Sequence, residues 1–304
     1  MSQGPLLQQE LFERLGRIGI AARQAVESAL AGQHRSVRWG LSVEFAGHRP
    51  YQSGDDLRHL DWSVLARSDR YDIRVFEEET RLRATLVLDA SGSMAFASRD
   101  PSKWAVARQL VAALAFLMVR QDDAVGLAVV DTEVRTHLAA ASTPAHLARL
   151  LTVLEQAEPG GDTALGPVLE SLALQLHRRG LVVVVSDGFD DPARLVTALR
   201  LLRHRRQEVR VFLIQDAAEF TLPVTGMIHF NGLEGEPPIT VDADRVRPHY
   251  RDAFRLHQRQ LAESCHELGI PLEIIPTEAD LAWSLGRALN RSQQRSRPSG
   301  FGPR

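Results

Sequence analysis

The stretch Ala84-Thr85-Leu86-Val87-Leu88-Asp89-Ala90-Ser91-Gly92-Ser93-Met94 decides the fold. Its first five residues are a short apolar run that ends in an aspartate, and a loop of small residues follows. From about Ser102 to Arg120 the periodicity becomes helical, with Ala105, Leu110, Leu114 and Leu117 on the inner face. Strand, loop and helix in that order form the opening unit of an α/β sheet.

Working toward the C-terminus, Ala124 to Val130 and Val134 to His137 read as a strand pair around the turn Asp131 to Glu133. Pro144 to Gln156 and Leu165 to Arg178 read as helices separated by the Gly160-Gly161 break. Leu181 to Val185 is an unbroken apolar, mostly β-branched run of the kind buried on both faces of a parallel sheet, and it ends in Ser186-Asp187-Gly188. Helix Pro192 to Arg206, strand Val209 to Ile214, helix Tyr250 to Leu268, strand Pro271 to Ile275 and helix Glu278 to Leu289 continue the alternation. The Gly- and Pro-rich segment Thr221 to Val241 is expected to form a small hairpin. The fold class is therefore α/β, a Rossmann-like, mostly parallel sheet with helices on both faces.

Toward the N-terminus, Leu7, Leu11, Leu15, Ile18 and Ala22 predict an amphipathic helix over residues 6–31, with Gly32 placed to end it. Residues 33–83 are rich in Arg, Gly, Asp and His, with extended runs at Ser42 to Phe45 and Asp72 to Glu77, and read as an irregular collar. The expected organisation is a helix and collar (1–83) packing on a main domain (84–290), followed by a disordered tail (291–304).

Composition excludes several classes. A net charge of −2, from 36 basic and 38 acidic residues, gives no global attraction to nucleic acid or an anionic membrane. Cys265 is the only cysteine, so neither an intramolecular disulfide nor a Cys-based zinc site is possible. No apolar run approaches the roughly 18 residues of a membrane span, and the chain is expected to be cytoplasmic. Lys103 is the only lysine, and the dominance of arginine reads as a coding bias.

Ligands of open α/β sheets bind outside the carboxyl ends of the strands. Three loops lie there. Asp89-Ala90-Ser91-Gly92-Ser93 offers one carboxylate and two hydroxyls, with Gly92 read as the residue that lets the loop turn tightly. Gly160-Gly161-Asp162-Thr163 offers another hydroxyl, and Ser186-Asp187-Gly188 a second carboxylate. Asp89, Ser91, Ser93, Thr163 and Asp187 form an all-oxygen set suited to Mg2+ or Mn2+. With only two carboxylates around it, such an ion can still accept an acidic side chain from a partner protein.

The Asp-x-Ser-x-Ser loop, the later threonine and the strand-terminal aspartate resemble the metal-ion-dependent adhesion site of von Willebrand factor A domains. Upstream, Glu44-Phe45, Arg49-Pro50-Tyr51, Gly54-Asp55-Asp56-Leu57-Arg58, Leu60-Asp61-Trp62, Ala66-Arg67 and Phe76-Glu77-Glu78-Glu79 resemble the domain-of-unknown-function 58 family. That likeness runs over nearly all of residues 20–290. It implies a von Willebrand factor A-like domain of the kind commonly encoded beside a MoxR-type AAA+ ATPase. The expected role is a non-enzymatic, metal-dependent adaptor in protein or complex maturation.

Two other classes compete. A metal-dependent hydrolase or phosphatase would use Asp89 as nucleophile; against it, Ser91 stands where a general acid is wanted, and Lys103 has no evident route to the site. An RNA-binding protein would use Arg203, Arg205, Arg206 and Arg210, although cations at a helix end also complement the helix dipole. Asp55, Asp56 and Asp61 read as turn chemistry, Trp62 as a core or interdomain anchor, and the histidines at 34, 48, 59 and 137 as too scattered to bind metal.

Overall fold

The computed structural model describes residues 13, 16, 22, 24, 26, 43–51, 60–68, 71–78, 82–177 and 179–287. The chain divides into two compact units, residues 38–82 and residues 1–37 with 83–304. In the smaller unit, β1 (Val43–Pro50) pairs antiparallel with β2 (Asp72–Glu78), with Phe45 opposite Phe76 and a bulge between Phe45 and Gly47. Between them lies α1 (Trp62–Ser68), where the Asp61 carboxylate accepts the Val64 N–H at 3.3 Å and caps the helix. Leu60 and Asp61 are buried, whereas Trp62 is 66% exposed, which excludes the core position from the core or interdomain anchor expected from the sequence. Asp55 and Asp56 lie outside the described residues.

The strands of the larger unit are β3 (Arg83–Asp89), β4 (Ala124–Val130), β5 (Val134–Ala141), β6 (Gly180–Ser186), β7 (Gln207–Gln215), β8 (Met227–Phe230), β9 (Ile239–Asp242) and β10 (Leu272–Pro276). Six of them form one sheet in the order β10-β7-β6-β3-β4-β5, parallel throughout except for β5, which runs antiparallel to β4 at the edge. β8 and β9 form a separate antiparallel hairpin, as expected for the Gly- and Pro-rich segment.

The helices are α2 (Lys103–Arg120), α3 (Pro144–Gln156), α4 (Leu165–Gln175), α5 (Pro192–His204), α6 (Ala217–Thr221), α7 (Ala243–Glu267) and α8 (281–287). α2 covers one face of the sheet with α3 beside it. α4, α5 and α7 cover the other, where Leu169, Leu199, Leu261 and Cys265 pack on Val182, Val184 and Val211. Burial on both faces explains why β6 is an unbroken apolar run and β3 is interrupted only by Thr85, without alternation. Toward the N-terminus, Glu13, Gly16, Ala22, Gln24 and Val26 are helical, with Ala22 and Val26 buried. The rest of the expected 6–31 helix and the 291–304 tail lie outside the described residues.

Helix ends differ from the sequence reading for local reasons. α7 begins at Ala243 rather than Tyr250, because Asp242 caps it through the Asp244 N–H at 3.1 Å despite Pro248 inside the helix. Arg247 anchors that first stretch by donating to the Leu222 carbonyl at 3.0 Å and to the Val224 carbonyl. α4 stops at Gln175 rather than Arg178, and Arg205 takes up the carbonyls of Ala173 and Leu174 at its end. α5 stops at His204, before Arg206 adopts φ 63°.

Leu86 in the central strand is fully buried and Leu174 on α4 is 63% exposed. Leu86→Ala is expected to cost about 2–5 kcal/mol, and Leu174→Ala no more than about 0.5 kcal/mol; urea unfolding of the two variants measures the contrast.

Candidate metal centre

The strand order reverses at β3, with β4 on one side and β6 on the other, so a crevice opens at the carboxyl ends of β3 and β6. Leu88 pairs with Val185, which sets Asp89 and Ser186 side by side at that edge with Asp187 next in sequence. The loop after β3 is pinned by backbone hydrogen bonds. The Ala90 N–H donates to Val130 at 2.7 Å, the Gly160 N–H to Ala90 at 2.8 Å, and the Gly92 N–H to Gly161 at 2.8 Å. The Gly160-Gly161 loop is thereby laid along the Asp89–Gly92 loop, which carries Thr163 to the same edge.

Two glycines serve this contact in different ways. Gly161 has φ +82°, a conformation that disfavours any side chain. Gly92 does not; a Cβ there would sit 2.1 Å from the Leu233 carbonyl oxygen. Its role is close approach by another segment, not the tight turn expected from the sequence. Arg135 of β5 secures the arrangement, pairing with Asp131 and donating to the carbonyls of Glu158, at 2.9 Å, and Gly160.

Asp89 is almost fully buried; its Oδ1 accepts the Ser91 N–H at 2.9 Å and its Oδ2 the Ser186 hydroxyl at 2.6 Å. Burial, and then the charge of Asp187, push its carboxyl up from 3.8 to about 6 in spite of those hydrogen bonds. Asp187 is held differently: Oδ2 accepts from Lys103 Nζ at 2.7 Å and Oδ1 from the Phe189 N–H at 3.1 Å.

Lys103, the first residue of α2, is completely buried and also pairs with Glu219 of α6. Burial works against its charge, but the carboxylates of Asp187 and Glu219 more than offset this and raise its pKa. Burial likewise raises the Glu219 carboxyl, against the pull of Lys103. The rings of Phe189 and Phe96 lie 5.0 and 5.6 Å from the ammonium. Lys103 thus reaches the site, contrary to the sequence reading, because its helix starts against the crevice.

The hydroxyls of Ser93 and Thr163 lie on the outer side, and that of Ser91 is buried. Ser91 Oγ and Ser93 Oγ are 3.2 Å apart, close to the roughly 3 Å edge of an octahedron with magnesium–oxygen bonds of about 2.1 Å. Glu234, from the loop between β8 and β9, accepts the Ser93 N–H at 3.0 Å, the Thr163 N–H at 3.1 Å and the Thr163 hydroxyl at 2.6 Å. Asp89, Ser91 and Asp187 are buried, while Ser93, Thr163 and Glu234 are half-buried.

This donor set fits a small, hard dication. Asp89, Asp187 and Glu219 supply three negative charges against one on Lys103, and a dication would balance the excess of two. No group of three or more His, Cys, Asp or Glu able to hold a metal occurs among the described residues, so an ion here must draw on the hydroxyls.

All five residues singled out from the sequence lie along this edge. Sequence reasoning missed Ser186, Lys103, Glu219 and Glu234; the available signals were a lone lysine and a glutamate between Gly232 and Gly235. Three of the four arginines considered for RNA bond to their own chain. Arg203 donates to the Gln207 carbonyl at 3.5 Å, Arg205 to Ala173 and Leu174, and Arg210 to Glu208 at 3.2 Å. His137 lines a cavity at the opposite, amino end of the strands with Arg83 and Gln207.

A family model described as "Protein of unknown function DUF58" matches residues 47–260, more than half of the chain. An uncharacterized protein of Mycobacterium tuberculosis is 26% identical over 284 residues, covering 92% of this chain and 89% of that one. Among solved structures, the conserved hypothetical protein BatB from Bacteroides thetaiotaomicron is similar over 70% of this chain and 99% of its own, at TM-score 0.50 and 16% identity. The SpRpn10 VWA domain matches over 68% of this chain and 95% of its own, at TM-score 0.43 and 13% identity. The likeness to BatB is one of fold, and the fold is the mostly parallel α/β sheet with helices on both faces expected from the sequence. No described helix is long and apolar enough to cross a membrane.

Two outcomes follow from the charges. A carboxyl raised from 3.8 to about 6 on folding contributes stability below its unfolded value that is lost as pH rises through its folded value. In chelator, wild type should therefore lose stability relative to Asp89→Asn between about pH 4 and about pH 7; urea unfolding across that range measures the difference. Lys103→Met, which leaves Asp187 and Glu219 buried without their cation, should cost about 3–5 kcal/mol. The double variant with Glu219→Gln should recover part of that loss in the same assay.

Proposed function

The chain belongs to the DUF58 family, and from that premise and the site's geometry we propose that it is a metal-dependent protein-interaction module. Asp89, Ser91, Ser93, Thr163 and Asp187 would hold one Mg2+ or Mn2+. Bound there, the ion would act as a Lewis acid toward an acidic side chain of a partner. The observation that carries this reading is the convergence of hard oxygen donors from three loops at one sheet edge, two of them serine hydroxyls 3.2 Å apart.

The chain's own residues divide the work. The Ser91 N–H and Ser186 hydroxyl orient the two oxygens of Asp89, and Lys103 fixes Asp187 and limits the local negative charge. Ser93 and Thr163 face the side from which a partner would approach. The proposed partner is a MoxR-type AAA+ ATPase or its client, in keeping with the family likeness, and the proposed location is the cytoplasm. We read the site as non-catalytic, since both oxygens of Asp89 are engaged and the residue is buried.

A second reading, a metal-dependent hydrolase or phosphatase using Asp89, is favoured by one observation: the Lys103 ammonium next to Asp187. Against it, that ammonium is shared with Glu219 and sealed from solvent. Metal-dependent turnover of p-nitrophenyl phosphate, abolished by Asp89→Asn, would establish the second reading over the first.

Calorimetry on chelated protein should show one Mg2+ or Mn2+ bound weakly, calcium bound less well, and the fold retained in chelator. Ser91→Ala, Thr163→Ala and Asp187→Ala should each lower metal affinity by about tenfold or more and abolish metal-dependent capture of the ATPase, with circular dichroism confirming that each variant is folded. Equal capture by all three, or by wild type in chelator, would refute the metal-bridged contact.

A further inference from the structure

The outer side of the centre is covered by the chain itself. Glu234 takes three hydrogen bonds there, and all three donors belong to Ser93 and Thr163, the two half-buried members of the proposed ligand set. This is the side from which a partner carboxylate would have to enter, because Asp89, Ser91 and Asp187 are buried beneath it. We propose that Glu234 is an internal mimic of the partner's acidic side chain, holding its place at the centre until the loop tip of residues 231–236 withdraws. The inference rests on the metal-centre reading above and adds the regulation of that site.

Three features support a fitted rather than an accidental contact. The Leu233 carbonyl occupies the space that a Cβ on Gly92 would need, so the tip lies directly on the Asp89–Ser93 loop. The tip is shaped in advance for this: the Glu234 N–H donates to Glu236 at 2.9 Å, Gly235 has φ +81°, and a Cβ on Gly232 would fall 2.5 Å from Glu236. The carboxylate is also spread over both residues of the outer side, one oxygen taking the Ser93 N–H and the Thr163 hydroxyl and the other the Thr163 N–H.

The tip is also built to leave. It connects two strands of four residues that, among the described residues, pair only with each other, and such a two-stranded ribbon is marginally stable alone. Met227, Leu233 and Ile239 on it are exposed. Its departure therefore uncovers Ser93 and Thr163 without breaking a hydrogen bond of the main sheet. The segment that replaces it must likewise present an acidic side chain from an exposed loop.

The test uses the full chain loaded with Mn2+, acetate as the carboxylate probe, and water-proton relaxation as the readout. Wild type and Glu234→Ala should both bind Mn2+. Acetate should lower the relaxivity of Glu234→Ala at a midpoint at least about tenfold below that of wild type, the factor expected for a tip open about one-tenth of the time. Glu234→Gln should fall between them. Identical acetate midpoints in variants that bind Mn2+ overturn the internal-ligand proposal and leave the metal centre standing. Failure of both wild type and Glu234→Ala to bind Mn2+ overturns the two together.

Discussion

Two aspartates are buried next to one another at the ends of neighbouring strands, and most of the surrounding structure answers to that. Removing a carboxylate from water costs several kcal/mol even after relaxation, and like charges close together add to the cost. Around Asp89 the compensation is a hydroxyl from Ser186 and the Ser91 N–H; around Asp187 it is Lys103 and the Phe189 N–H. Lys103 is itself too buried to stand on one partner and takes Glu219 as a second. Glu219 in turn belongs to the capping box of α6, where its other oxygen accepts the Asp216 N–H at 3.1 Å. Asp216 then accepts the Ser98 hydroxyl, so one polar network runs from the centre of the sheet to the loop before α2. A network of this kind is favourable only when each member is satisfied.

The site has two layers as a result. Its floor is anionic, dry and fixed by the register of β3 against β6. Its rim is made of hydroxyls and backbone N–H groups whose partner comes from a hairpin outside the main sheet. The floor is part of the core; the rim is where exchange with another molecule can occur. Thr163 belongs to the rim only because Gly160 and Gly161 bond to the backbone of the loop after β3.

Much of this was legible in the sequence, for a physical reason. Strands buried on both faces are almost wholly apolar, so Ala84–Leu88 and Leu181–Val185 declare themselves, and whatever follows them stands at the ligand-binding edge. The five proposed ligands could be found because each sits within a few residues of such a strand or of a glycine break. Glu234 and Lys103 could not be placed the same way. They reach the site across 141 and 84 positions of sequence, a distance over which periodicity carries no information. Gly92 shows a related limit: glycine can serve backbone angle or close approach, and only the position of Leu233 tells which. α7 starts before the Tyr250 expected from the sequence because the Asp242 cap and the Arg247 anchor hold the helix through Pro248.

The burial of Lys103 also governs what the rest of the molecule can offer chemically. It is the sole lysine of the chain, and its amine is enclosed by two carboxylates and two aromatic rings. The folded surface therefore presents no lysine ammonium, and every permanently charged cationic side chain it exposes is a guanidinium: planar, weakly hydrated and suited to paired contacts with carboxylate or phosphate. Side-chain acylation or ubiquitin attachment at lysine has no accessible acceptor while the fold is intact, so cellular control of this protein through its lysine would first require the sheet edge to open.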